Sequence, residues 1–161
     1  MTNQGDLSLL NDPVAITLLS STNLAHLAYV WDDGSPRDVP IWFHWDGKAV
    51  VMGTPIKSPK MHVMPNHAKV AITIDSMVFP YKVLSLRGTA QVSIIEGVVP
   101  EYSKAAERYF GEEGGKGWIN QIKGMFTQMA RVAVVPEWAG IIDFEMRYPS
   151  AIAAAMAGAA S

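Results

Sequence analysis

The residues best equipped for chemistry lie in one stretch, Arg37 to Lys60, RDVPIWFHWDGKAVVMGTPIKSPK. Arg37, Lys57 and Lys60 supply cations there, and Thr54 and Ser58 supply hydroxyls. Guanidinium and ammonium groups beside hydroxyl donors bind anions, and a phosphate suits this donor set. Ser58-Pro59 has the form of a helix start, with serine as N-cap and proline at the first helical position. A helix beginning there would add unpaired N–H groups and a partial positive charge to the same site. Pro40 cannot donate to a ladder, so its strand lies at a sheet edge or bulges. Either arrangement leaves backbone groups open to a flat ligand beside the anion site. The plainer alternative is a surface hairpin with solvated cations. The recurrence of Arg, Thr, Ser and Lys on both sides of one turn favours a ligand.

The other reactive residues form no set. There are no cysteines, which removes disulfides and thiolate chemistry. Of His26, His44, His62 and His67, the last two are five apart, off one helical face, with no carboxylate at ligand spacing. The four read as surface or hydrogen-bonded histidines, with haem ligation by one of them a minor branch, and no metal is expected. GEEGGKG, over 111–117, has no Ser or Thr after its lysine and follows a helical pattern where a phosphate loop needs a strand; it reads as a helix end. No G-x-S-x-G elbow is present to support a serine nucleophile, and no catalytic residue is assigned. Trp31, Trp45, Trp118 and Trp138 read as core or interface packing, whereas Trp42 is kept as a candidate for stacking on a flat ligand.

These residues must be positioned by short elements. Asn11-Asp12-Pro13 starts a helix over 14–19, and 24–31 is a strand leading to an Asp33-Gly34 turn. The stretches 37–45 and 48–54 form a hairpin about Asp46-Gly47, and 59–65 is a brief helix. A strand over 68–75 precedes a long one over 81–95. In the long strand Leu84, Leu86, Gly88, Ala90 and Val92 share one side, and Gly88 permits a bend or bulge. Helices are expected over 100–110 and 118–129, then strands over 130–135 and 139–146 about a Pro136-Glu137 turn. Short turns between six or seven strands imply antiparallel pairing and a barrel, mainly β with short flanking helices.

The 161 residues suit a single domain, 1–161, with an Ala-rich tail over 149–161. A charged fraction of 17% is low and points to buried surface beyond the monomer's own, such as a subunit interface. The net charge of −2 counts against a nucleic-acid partner. The first residues lack the form of a signal peptide, and no apolar run is long enough to span a bilayer, so no membrane association and a cytoplasmic location are expected.

The pattern Arg37, Val39-Pro40-Ile41-Trp42-Phe43, Trp45-Asp46-Gly47, Gly53-Thr54, Ser58-x-Lys60, Ala68-Lys69-Val70-Ala71 resembles the pyridoxamine 5′-phosphate oxidase-like split-barrel flavoproteins. The resemblance spans roughly 24–92 and is spread over several strands. It implies a six-stranded split β-barrel, a homodimer, and a flavin (FMN) or deazaflavin (coenzyme F-420) in each of two interface grooves; some members bind haem. By the same resemblance, Arg37 and Lys60 face the flavin phosphate, and Thr54 and Ser58 are its hydroxyl partners. Val39, Pro40, Ile41 and Trp42 border the ring. Pro59 stands where strong FMN binders often carry an arginine, with Lys57 as the available replacement. Trp42 stands where the oxidase itself has a lysine, so pyridoxamine phosphate is not carried over as substrate.

Two function classes follow. The first is an oxidoreductase passing a hydride between FMN, or alternatively the deazaflavin, and a small organic substrate. The second is a non-catalytic flavin or haem carrier. Arg37, Lys57 and Lys60, with Lys82 and Arg87 on neighbouring strands, suffice for a phosphate and leave little surplus for the deazaflavin's polyanionic tail, which favours FMN.

Overall fold

The computed structural model describes residues 3–159. Its strands are β1 (Ala25–Val30), β2 (Pro36–Ile41), β3 (His44–Trp45), β4 (Val50–Pro55), β5 (Lys69–Asp75), β6 (Lys82–Glu96) and β7 (Gln128–Asp143). The helices are α1 (Pro13–Ser20), α2 (Pro100–Met125) and α3 (Ser150–Ala159). All seven strands form one antiparallel sheet in the order β2-β1-β5-β6-β7-β4-β3. The two ends of that order, β2 and β3, are consecutive in the chain, with only Trp42 and Phe43 between them. The sheet therefore curls until its edges meet, which is the split β-barrel the sequence led us to expect. Alternation fills the inside: Leu27, Ile72, Ile74, Leu84, Leu86 and Ile141 are fully buried in one cluster.

The expected continuous strand over 37–45 is thus two strands on opposite edges, broken at the seam. Phe43 turns into the core, and Arg108 of α2 donates to the Phe43 carbonyl and, at 2.8 Å, to the Ser21 carbonyl. The Phe43 carbonyl lies between β2 and β3 and the Ser21 carbonyl at the end of α1, so a side-chain donor serves both. Pro40 lies on an edge strand whose register with β1 is regular, so it sits at an edge without a bulge.

The expected turn at Pro136-Glu137 is instead a bulge inside one long strand. Gly88 faces Pro136 and Arg87 faces Trp138, which leaves Glu137 as the extra residue. Proline cannot donate to the ladder, and a Cβ on Gly88 would meet the Val135 carbonyl oxygen at 2.5 Å.

Helix α1 begins as expected: the Asp12 carboxylate accepts from the Val14 amide at 2.9 Å, and Pro13 follows the cap. It packs on the barrel through Leu18 and Leu19, which join the core cluster. In α2 the break is Gly111 alone, at φ 77°; the rest of GEEGGKG is helical rather than a helix end. The second half of α2 doubles back so closely that a Cβ on Gly115 would lie 2.6 Å from Glu107 Cα. Met129, placed in a helix by its pattern, is instead in β7, where it faces Pro55. The α3 helix, Ser150–Ala159, is exposed throughout, and no helix among the described residues is long and apolar enough to cross a membrane.

Candidate functional site

The segment after β4 carries the hydroxyls and the lysines. Val50–Thr54 is buried along its whole length, which fixes where the chain emerges. The Thr54 hydroxyl, 3% exposed, donates to Ser58 Oγ at 3.0 Å. Ser58 makes no capping hydrogen bond, and its oxygen accepts from Thr54 instead. The brief helix expected over 59–65 is two 3₁₀ turns, Pro59–His62 and Met64–Asn66. A single turn has too few aligned peptides for an appreciable dipole. The anion-binding case therefore rests on side chains rather than on a helix end.

Lys60 is the informative side chain. It is half-buried, and burial holds its ammonium below the ordinary lysine value of 10.5. Among the described residues it has no ion-pair or hydrogen-bond partner. A partly desolvated cation without a partner is costly, and an anion arriving beside it recovers that cost.

Arg37 lies on β2 and contacts the β1–β2 turn. Its guanidinium lies 4.6 Å from the Trp31 ring centroid, and its Nε makes a long 3.5 Å contact to Ser35 Oγ. No carboxylate pairs with it within 4 Å among the described residues. The other face of the story is Trp31, whose ring is 5.2 Å from that of His62, at the end of the turn that carries Lys60. Val39, Pro40 and Ile41 continue β2 from Arg37 along a strand with one unpaired edge. Thr54 and Ser58 meet directly, and the Arg37–Trp31–His62 contacts run from β2 to the turn that carries Lys60.

Two predicted members are placed elsewhere. Lys57 is exposed and lines a separate cavity of about 300 Å³ with Ile56, Met125 and Phe126. Trp42 lies past the end of β2 and packs on α2. It stacks on Tyr109 at 5.1 Å and meets Phe110 and Trp118 edge-on at 5.0 and 6.1 Å. The reserve cations are also engaged: Lys82 pairs with Glu145 at 3.1 Å, and Arg87 covers the Trp138 ring at 3.9 Å.

Other titratable groups hold α2 against the barrel. Arg131 donates to Glu101 at 2.7 Å; that bond lowers the Glu101 carboxyl and raises the Arg131 guanidinium. Burial, helped by the Lys104 and Arg108 charges, keeps the His44 imidazole below its usual 6.5. It lines a small cavity with Leu10, Ile16, Leu19, Trp45 and Arg108. Among the described residues, no three His, Asp or Glu side chains converge as metal ligands do.

Residue-by-residue reading missed Trp31, Asp32 and His62. Trp31 and Arg37 flank the Asp33-Gly34 turn, and that hairpin spacing was a usable signal. The approach of His62 depends on the chain's return from β4 and had no local signature.

A family model described as pyridoxamine 5′-phosphate oxidase matches residues 13–139. No curated protein sequence matches the chain. Among solved structures, an F-420 reductase is similar at 26% identity and TM-score 0.55, over 78% of this chain and 93% of that one. A conserved hypothetical protein from Mycobacterium tuberculosis is similar at 22% identity and TM-score 0.60, over 79% and 81%. An FAD and haem binding protein from Mycobacterium smegmatis is similar at 19% identity and TM-score 0.57, over 96% and 78%.

Proposed function

The chain belongs to the pyridoxamine 5′-phosphate oxidase family, and from that premise we propose that it is a flavin-dependent oxidoreductase holding FMN in the groove between the β2 edge and the Thr54–Lys60 segment. The half-buried, unpartnered Lys60 ammonium carries the reading, because it asks for an anion at the place where the family resemblance puts a phosphate. When bound, FMN supplies the redox chemistry, taking up and giving up a hydride. The chain's own residues bind and orient it. Lys60 and Arg37 neutralise the phosphate, Ser58 offers it a hydroxyl whose oxygen is held by the buried Thr54, and Val39, Pro40 and Ile41 offer edge backbone to the ring. The substrate is a small organic molecule, and the working unit is a homodimer, a single split-barrel domain in each copy, in the cytoplasm.

The deazaflavin coenzyme is the second reading. It is favoured by the likeness to an F-420 reductase. Against it stand Lys82 and Arg87, both engaged away from the groove, which leaves little charge for a polyanionic tail.

Titration of Lys60→Ala and Arg37→Ala with FMN tests the phosphate site. A charge-assisted contact is worth about 1.5–3 kcal/mol, so each variant should lose about ten- to a hundredfold in affinity. Unchanged affinity in Lys60→Ala would move the phosphate elsewhere.

A further inference from the structure

We infer that Trp31, Asp32 and His62 form a clamp that sets the distance between the two phosphate cations; this rests on the proposed groove and assigns residues that the family resemblance did not. Three contacts define the clamp. The His62 Nε2 hydrogen-bonds Asp32 Oδ2, the His62 ring lies 5.2 Å from the Trp31 ring at an interplanar angle of 38°, and Arg37 covers Trp31 at 4.6 Å. Trp31 is thus in contact with both an imidazole from the 3₁₀ turn and a guanidinium from β2.

The anchoring on each side is rigid. On one side the β1–β2 turn is closed by Trp31 N to Ser35 O at 2.9 Å and Gly34 N to Trp31 O at 2.9 Å, and the Asp33 carboxylate accepts from the Ser35 amide at 2.8 Å. On the other, the 3₁₀ turn runs into Val63 and Met64, both buried in the core. Between these anchors Pro59–His62 has no buried residue, and ladder pairing stops at Pro55. Met61 packs that span against the core, and the clamp ties its His62 end to the hairpin. An isolated exposed His–Asp pair contributes little. Here Asp32 adjoins Trp31, so one bond orients the ring that also seats Arg37. Lys60 and His62 share a single turn, so fixing His62 fixes where the Lys60 ammonium stands relative to Arg37.

The role is positioning, since none of the three residues need touch the phosphate. The clamp should therefore act on ligands that carry the phosphate and spare those that do not. Asp32→Ala and His62→Ala are each expected to weaken FMN about five- to twentyfold while shifting riboflavin by less than twofold. The double variant should be no worse than the weaker single one, because one contact is removed twice. His62→Gln, which can still donate to Asp32, should recover most of the loss.

A second readout needs no cofactor. The amides of Met61 and Val63 are hydrogen-bonded to Ser58 O at 2.9 Å and Lys60 O at 3.2 Å. In the ligand-free Asp32→Ala protein their hydrogen exchange should quicken at least tenfold, with β6 amides unchanged. Unchanged exchange at Met61 and Val63 overturns the clamp, as does an equal loss of FMN and riboflavin affinity. If the wild-type protein bound no flavin, the proposed function would fail and the exchange experiment alone would decide the clamp.

Discussion

Lys60 makes two opposite pH dependences from one ammonium. Burial lowers its folded value below 10.5. The unfolded chain therefore binds more protons in that window, and the stability of the ligand-free protein contributed by Lys60 rises with pH. A bound phosphate favours the charged form, so cofactor affinity is full below the lowered value and falls as pH rises through it. Lys60→Arg stays protonated and should flatten the affinity profile on the alkaline side in calorimetric titrations across pH. His44 gives a separate stability signature. Its folded value is depressed, so its contribution is complete above 6.5 and is lost as pH falls below that value. His44→Gln should remove part of the stability loss seen by denaturant titration between about pH 6.5 and 5, above the range where carboxylates titrate. The types of the site residues were legible in the sequence because cations and hydroxyls cluster there. Their states were not: Ser58 reads as a cap, and only the contact with Thr54 shows its oxygen to be engaged.

At the scale of elements, what was legible followed local rules and what was not followed from closure of the barrel. Leu84, Leu86, Gly88 and Ala90 alternate, and all four are buried, as a period of two demands. Asp12-Pro13 caps α1 as its types dictate. The run over 37–45 keeps a strand-like composition through Trp42 and Phe43, so nothing local marks the seam where β2 leaves one edge and β3 begins the other. Pro136-Glu137 reads as a turn because proline and a charge commonly end strands; opposite Gly88 the same pair is absorbed as a bulge. The α2 insertion is bound to β4 by close approach: a Cβ on Gly53 would lie 2.8 Å from Tyr102 Cβ. Gly53→Ala must displace the helix, and equilibrium denaturation should show a loss of about 1–3 kcal/mol.

The whole molecule presents more apolar surface than its proposed function in isolation would require. Met77, Val78 and Phe79 are 96%, 79% and 72% exposed at the tip between β5 and β6. Large exposed apolar patches of this kind mark interaction sites. The proposed homodimer would cover such surface. Light scattering at micromolar concentration should give twice the mass of the chain; the monomer's mass would remove the shared groove from the account.

The central claim is that the groove beside Lys60 holds a flavin by its phosphate. The most direct measurement is an equilibrium titration of the purified, ligand-free protein with FMN, riboflavin and haem, followed by absorbance and flavin fluorescence. The account predicts that FMN binds at micromolar concentration or below, that riboflavin binds at least about tenfold more weakly for want of the charge-assisted phosphate contacts, and that Lys60→Ala narrows the difference, with Arg37 still in place. Equal affinity of the wild-type protein for FMN and riboflavin, or binding of haem with no binding of FMN at tens of micromolar, would contradict it.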